Sequence, residues 1–320
     1  METGKNFKIW GIGYGLIGDI IMALPLLAYF EKMHPDSYKI VVIEKKCSVC
    51  APLFFNHPLI DRIKITDEWN GVGEEDIRLA SQCQITDLPW TGKLGERIPP
   101  FNGSWNKDPH WYNYTDCIDV TAKRYGVDNI KEKLTEEELY PKLYKWFNVG
   151  LPDTVGDTYA KSYTSDTSMF SNDVAIWPFA TGATGHGRSP TIGWWQTLIE
   201  KLTSMGFTVS HYGRPTETQI SVNPNYTCYT YLSYIEQVQA ALASRFTIGT
   251  DSGAMWVMGA YSHPSITLMT QYLQNHVSNP MALAPANKNG ANIFAKGGCE
   301  NIKFDDVLHT IEEKIIACGF

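Results

Sequence analysis

Gly11-Ile-Gly-Tyr-Gly-Leu-Ile-Gly-Asp19, near the start of the chain, and Thr247-Ile-Gly-Thr-Asp251-Ser-Gly-Ala254, in its last quarter, decide how the sequence folds. Each reads as a buried strand that runs into a Gly-rich turn and then a helix start. The first turn of a helix leaves backbone N–H groups unpaired, and together with the helix dipole they can hold an anion. Two such turns, one in each half of the chain, predict two α/β domains and a phosphorylated ligand.

The pattern around each turn extends this reading. Residues 8–12 are a short buried strand, and 19–32 show helical periodicity with Ile20, Ala23, Leu24, Leu27 and Phe30 toward one side. Pro25 is expected to kink or delay that helix. Residues 38–44 read as a strand with a β-branched core, 47–55 as a second helix and 60–65 as a third strand. In the second half, strands fall at 173–178, 207–212, 246–249 and 265–269, and helices at 193–205, 233–243, 253–261 and 305–318. Such alternation builds a parallel sheet with helices on both faces.

Between the halves, residues 66–113 are irregular and carry Trp69, Trp90, Trp105 and Trp111. An insert of that length tends to be functional, and its rings offer either stacking faces for a sugar or a small satellite core. Residues 116–125 read as helical and 135–139 as a capped helix start. The domains are therefore drawn at 1–150, including the insert, and at 173–320, joined by a Ser/Thr-rich linker at 151–172.

At 320 residues, 43% of them hydrophobic, the chain can fill two cores. A formal net charge of −7 argues against a protein whose main task is gripping nucleic acid phosphates, so nucleic acid is not an expected partner. No apolar run approaches the ~18 residues of a membrane span. The opening Met-Glu-Thr-Gly-Lys-Asn lacks the profile of a secretion signal, so a cytoplasmic protein with at most peripheral membrane contact is expected. Cys47-Ser-Val-Cys50 is a lone CxxC, read as two buried thiols in preference to zinc or redox chemistry. Asn102, Asn113 and Asn225 begin chance matches to the glycosylation pattern. His186 and His211 make no convincing metal site, and none is expected.

Gly13-Tyr-Gly15-Leu-Ile-Gly18 satisfies GxGxxG, and Glu44 ends the next strand where a ribose-binding acid would sit. Against a dinucleotide, Asp19 follows the last glycine, and its carboxylate would repel a pyrophosphate at the same helix end. The helix dipole keeps Asp19 ionised instead, which suits a general base for a hydroxyl. In Asp251-Ser252-Gly253 the acid precedes the turn, so Asp251 or Ser252 caps the helix while the following N–H groups face a ligand. The loop at 178–190 adds the Thr181 and Thr184 hydroxyls and the Arg188 guanidinium, suited to bidentate phosphate binding.

With these segments in order, the chain resembles glycosyltransferase family 9, which contains the bacterial ADP-heptose:lipopolysaccharide heptosyltransferases. The matching segments are Gly18-Asp19-Ile-Ile-Met-Ala-Leu-Pro25, His34-Pro35-Asp36, Phe55-Asn56-His57-Pro58-Leu59-Ile60-Asp61-Arg62-Ile63, Asp251-Ser252-Gly253 and Ser262-His263-Pro264-Ser265. The resemblance covers about residues 8–65 and 173–269 and leaves the middle insert unmatched. It implies a GT-B fold, two Rossmann-like α/β domains facing across a cleft. It further implies an inverting, metal-independent transfer of a heptosyl or hexosyl group from a nucleotide-diphosphate sugar, ADP-linked or similar, to a glycan or other hydroxyl acceptor. The sugar nucleotide is then a substrate, with no separate cofactor. Asp19 resembles the base, and Gly15 and Gly18 of the first turn are counted among the ligand-binding residues. Thr181 and Arg188 would lie near the donor phosphates, and the Asp251-Ser252-Gly253 turn would hold the diphosphate. Glu217 would meet the ribose and Leu232 the nucleobase. Two departures fall at the donor site: Trp256 stands where the family has histidine, and Gly187 where it has a phosphate lysine. Competing readings are a non-catalytic nucleotide-sugar or glycan-binding protein, a nucleotide-sugar epimerase and an NAD-dependent oxidoreductase.

Overall fold

A computed structural model of the protein describes residues 7–13, 17–35, 38–66, 85–87, 122, 127–145, 168–180, 189–270, 287, 289–295 and 298–316. Every strand pairing among them is parallel. The chain divides into two compact units, whose described parts lie within residues 7–145 and 168–316.

The first unit holds β1 (Phe7–Gly13), β2 (Tyr38–Glu44), β3 (Arg62–Thr66) and β4 (Ile85–Asp87), in the order β3-β2-β1-β4. Ile40, Val41, Val42 and Ile43 are all buried, the continuous apolar run that a parallel strand covered on both faces requires. The helix after β1 comes in two pieces, α1 (Ile17–Ala23) and α2 (Pro25–Met33). Pro25 has no N–H to donate and becomes the first residue of a restarted helix, while the Leu24 N–H bonds back to the Ile21 carbonyl at 3.1 Å.

Residues 45–54 coil as a 3₁₀ helix, tighter than the expected α-helix, with Pro52 inside it. Cys47 and Cys50 are buried there, and burial pushes the Cys50 thiol far above its ordinary range. Much of the family-like Phe55–Ile63 stretch serves the fold. Asp61 Oδ2 accepts the Lys39 backbone N–H at 2.7 Å, tying the approach to β3 onto β2. The buried Lys39 ammonium pairs with Glu31 at 2.9 Å. His57 packs edge-on to Tyr144 with ring centroids 5.1 Å apart, and burial lowers its pKa to about 4.

Two expectations need correction here. The insert is not wholly irregular, because β4 lies inside it and adds to the edge of β1. The segment at 135–139 makes the reciprocal Thr135–Glu138 cap (2.7 and 3.3 Å) but stops as a single turn before Pro141. The only helix described beside it is the short α3 (Ile130–Lys133). Trp69, Trp90, Trp105 and Trp111 lie outside the described residues, as do most of 116–125 and of the 151–172 linker.

The second unit carries β5 (Val174–Trp177), β6 (Val209–His211), β7 (Tyr226–Cys228), β8 (Phe246–Thr250), β9 (Ser265–Thr270) and β10 (Gly290–Ala295). Their order is β7-β6-β5-β8-β9-β10, which counted within the unit is the 3-2-1-4-5-6 arrangement of a doubly wound dinucleotide-type sheet. β7 and β10 escape a reading by pattern: β7 has only three residues, and Asn225-Tyr-Thr and the Gly290-Ala-Asn start of β10 look like turns. The helices are α4 (Ile192–Ser204), α5 (Tyr234–Ala243), α6 (Gly253–Ala260) and α7 (Phe304–Thr310). The last helix passes into a π-helical segment at Ile311–Ile316, which still buries Ile311 and Ile315. Trp195, Leu198 and Leu202 of α4 pack with Ile176, Phe246 and Ile248 of the strands to fill the core.

Local chemistry sets the helix ends. Thr191 Oγ1 accepts the Trp194 N–H at 3.2 Å to start α4, and Ser233 with Glu236 forms a complete capping box on α5. Gly206, at φ +92°, reverses the chain after α4 into β6. Among the described residues no helix is long and apolar enough to cross a membrane. Gly206→Ala meets no steric neighbour, so it should destabilise the fold by about 1–2 kcal/mol through backbone strain alone. Urea unfolding of the two proteins measures this.

Candidate functional site at the carboxyl edge of the second sheet

The order of the second sheet reverses between β5 and β8, so the chain leaves these neighbours in opposite directions, and sheets of this order bind ligands outside the carboxyl ends of such a pair. At that edge β8 delivers Thr250, Asp251 and Ser252 to the start of α6. Thr250 Oγ1 donates to the Pro178 carbonyl (3.4 Å), linking the two exits, and the Asp251 N–H still pairs with Leu268 of β9 (3.1 Å). Ser252 occupies the cap position of α6 in extended backbone, yet its side chain makes no cap bond. Its Oγ is buried and has no hydrogen-bond partner among the described residues. Thr191 and Ser233 spend their hydroxyls on their own helices; Ser252 does not, so the leading N–H groups of α6 keep their anion-binding capacity.

Gly249 keeps this turn tight. A Cβ there would stand 2.5 Å from Met255 Sδ and 3.0 Å from the Trp177 carbonyl, so only glycine lets the first turn of α6 press onto β5 and β8. Trp256, the departure from the family histidine, is buried within α6. Thr181 and Arg188 lie outside the described residues. The two ends of their loop meet where the Ala180 N–H donates to Ser189 Oγ at 3.4 Å.

Beyond β5, the exits of β6 and β7 carry Glu217 and Leu232. Gln237, buried on α5, joins them. Its Oε1 accepts the Gly213 N–H (2.9 Å), and its Nε2 donates to the carbonyls of Gly213 (2.9 Å) and Leu232 (2.7 Å). The Glu217 carboxylate lies against Gly213, where any Cβ would collide with it, and accepts from Arg214 Nε at 3.1 Å. It is almost wholly buried and turned toward His211, with 3.5 Å between Oε2 and Nε2. An aromatic row follows the same edge: Trp177 meets Tyr212 at 5.5 Å, Tyr212 stacks on Tyr229 at 6.1 Å, and Tyr229 reaches the exposed Tyr231 at 6.2 Å.

His211 and Cys228, the last residues of β6 and β7, face each other with Nδ1 and Sγ 3.5 Å apart. Burial opposes a charge on His211, but the Cys228 and Glu217 partners outweigh it and raise its pKa. The His211 hydrogen bond brings the Cys228 thiol down to about 7, against partial burial.

In the first unit, Gly18 and Asp19 lie in the first turn of α1. The Asp19 side chain and all of Gly15 are outside the described residues. Glu44 does end β2, but its carboxylate pairs with Lys46 at 2.6 Å in place of standing open for a ribose. The structure thus gathers Asp251, Ser252, Gly253, Glu217 and Leu232 on one edge of one sheet. Sequence reasoning missed Gln237, the tyrosine row and the His211–Cys228 pair. A glutamine between Ile235 and Val238 of an amphipathic helix was the available signal for the first. Among the described residues no group of His, Cys, Asp and Glu is arranged to hold a metal ion.

No protein-family model and no curated protein sequence matches the chain. Solved structures do. The E. coli ADP-heptose lps heptosyltransferase II superposes with a TM-score of 0.63 at 13% identity, covering 98% of this chain and 100% of that one. A Veillonella parvula glycosyl transferase of family 9 gives 0.59 at 13% identity, with 99% of each chain covered. The E. coli heptosyltransferase WaaC with ADP gives 0.53 at 15% identity, covering 96% and 100%. Identities this low establish the fold alone: an α/β architecture with parallel sheets of the kind these GT-B-type proteins share.

Gly249→Ala should cost about 1–3 kcal/mol by overpacking Met255 against β5, and it should shift the α6 turn. The companion Gly249→Ala, Met255→Ala double variant should recover part of that loss. Thermal melts of both variants test the assignment.

Proposed function

We propose that the protein is an inverting glycosyltransferase that moves a sugar from a nucleotide diphosphate to a hydroxyl acceptor. The observation that carries this is the α6 turn at the switch point of the second sheet, with Ser252 Oγ unspent and the helix cap open. The likeness to heptosyltransferase structures over the full chain supports it. In this reading the domain at 173–320 binds the donor and the domain at 1–150 the acceptor.

The Asp251-Ser252-Gly253 turn, Thr181 and Arg188 take the diphosphate, Leu232 borders the nucleobase, and Glu217 is the ribose partner. Glu217 can reach a ribose only by turning away from His211, a rearrangement that donor binding would drive. Asp19 removes the acceptor proton as the hydroxyl oxygen attacks the anomeric carbon. The bond from that carbon to the diphosphate breaks on the opposite side, and the single displacement inverts the configuration. Charge developing on the leaving oxygen is stabilised by the α6 N–H groups and by Arg188, already oriented before reaction. The proposed transfer needs no metal ion, since cationic and dipolar groups of the chain meet the phosphate charge. Its location is proposed to be the cytoplasm, where nucleotide sugars are available.

Thermal shift against ADP-, UDP-, GDP- and CMP-sugars and NAD(P) should show stabilisation by one sugar nucleotide. Stabilisation by NAD(P) alone overturns the proposal, and stabilisation without product in a mass-spectrometric transfer assay favours a binding protein. Asp19→Ala should lower transfer by at least ~100-fold, the usual worth of a positioned base, while the donor-induced shift persists. Wild-type turnover in that variant would remove Asp19 from the mechanism. EDTA should leave the rate unchanged; loss that Mg²⁺ restores would contradict the metal-free route.

A further inference from the structure

Cys228 stands apart from the buried cysteines Cys47, Cys50 and Cys299, because it is only partly buried and has an imidazole beside it. The arrangement is a chain of three groups. Cys228 Sγ lies 3.5 Å from His211 Nδ1, and His211 Nε2 lies 3.5 Å from Glu217 Oε2. His211 is wholly buried and the Glu217 side chain 6% exposed, yet neither Nε2 nor Oε2 makes a hydrogen bond within the described residues. A proton on Nε2 would fall between those two atoms and give both a partner. Thr230 Oγ1, 3.6 Å from the sulfur, can donate to a thiolate.

We propose that Cys228 is a modification site, a thiol activated by His211 and Glu217 that reacts with small electrophiles and with peroxides. Ionisation moves the thiol proton to the imidazole, which then carries a proton on each nitrogen, one toward sulfur and one toward Glu217. With a peroxide, the thiolate attacks one oxygen: an S–O bond forms and the O–O bond breaks. Sulfur is oxidised by two electrons to the sulfenic acid, and the leaving oxygen takes the imidazole proton to depart as water or an alcohol. With an alkyl iodide, an S–C bond forms and iodide leaves.

The charged and titratable neighbours are consistent with this. Tyr226 OH lies 2.8 Å from His211 Nδ1 and accepts the Ile220 N–H at 3.0 Å, so its own proton can be offered to the ring or to the sulfur. Arg214 sits on the far oxygen of Glu217 and holds that carboxylate in place. The Phe179 ring, 6.4 Å from the imidazole, closes another side. The proposal stands independently of sugar transfer, because its readout is thiol chemistry on the full chain.

Iodoacetamide labelling of Cys228, followed by peptide mass spectrometry across pH 5.5–10, tests it (a range set by the ordinary thiol and imidazole values). The expected profile rises with a midpoint near 7, the value to which the pair holds the thiol. His211→Gln should move the midpoint up by about 1–2 pH units toward an ordinary thiol, and Glu217→Gln should move it less in the same direction. Hydrogen peroxide should give a dimedone-trapped sulfenic acid at Cys228 before Cys47, Cys50 and Cys299. A wild-type midpoint at 8.5 or above, where free thiols titrate, overturns the proposal even if neither variant folds. An unchanged midpoint in a folded His211→Gln protein, or no adduct at Cys228, overturns it as well.

Discussion

A parallel sheet buried on both faces has nowhere to keep chemistry except at its ends, and the second unit is organised by that constraint. Its strands are filled with residues that never meet water, including Val174, Ile176, Phe246, Ile248, Ile266 and Leu268. The polar groups a ligand needs are displaced to the loops at the carboxyl edge. The reversal of strand order between β5 and β8 then parts two of those loops at the point where helix α6 presents its N-terminus. Gly249 sets how closely that helix approaches, because its missing side chain is the space Met255 fills.

A second constraint acts beside the first: buried polar groups need partners. Gln237 answers it by binding both polar backbone groups of Gly213 and the Leu232 carbonyl, which ties the exits of β6 and β7 to α5. Glu217 and His211 answer it only in part, since Nε2 and Oε2 face each other without a completed hydrogen bond. Ser252 Oγ, His211 Nε2 and Glu217 Oε2, three groups without a completed hydrogen bond among the described residues, fall on this one edge, where a ligand or a proton would complete them. In the first unit Lys39 meets both Asp61 and Glu31, contacts that tie α2 and the approach to β3 onto β2.

Much of this was legible in advance. Long β-branched runs and helical periodicities identified β2, β8, β9, α4 and α5 within a residue or two, because burial on both faces demands apolar runs that leave a strong local signal. The Asp251-Ser252-Gly253 turn was legible for the same kind of reason: a glycine between a buried strand and a helix has few other uses. The edge strands of the second sheet were not. β7 and β10 are stabilised by their neighbours β6 and β9, and Tyr226-Thr-Cys228 has no pattern of its own. Thr135–Glu138 shows the opposite failure, a correct local cap whose helix never continues toward Pro141.

The sequence by itself determined the fold class and the turn that opens the candidate site, since both rest on interactions between residues close in the chain. Only the tertiary structure decided which polar groups share an edge. Cys228 and His211 are 17 residues apart, and Gln237 is 24 from Gly213. The first pair meets because parallel strands bring equivalent ends together, and the second because α5 packs its buried face beside the exit of β6, consequences of tertiary arrangement that no local pattern encodes.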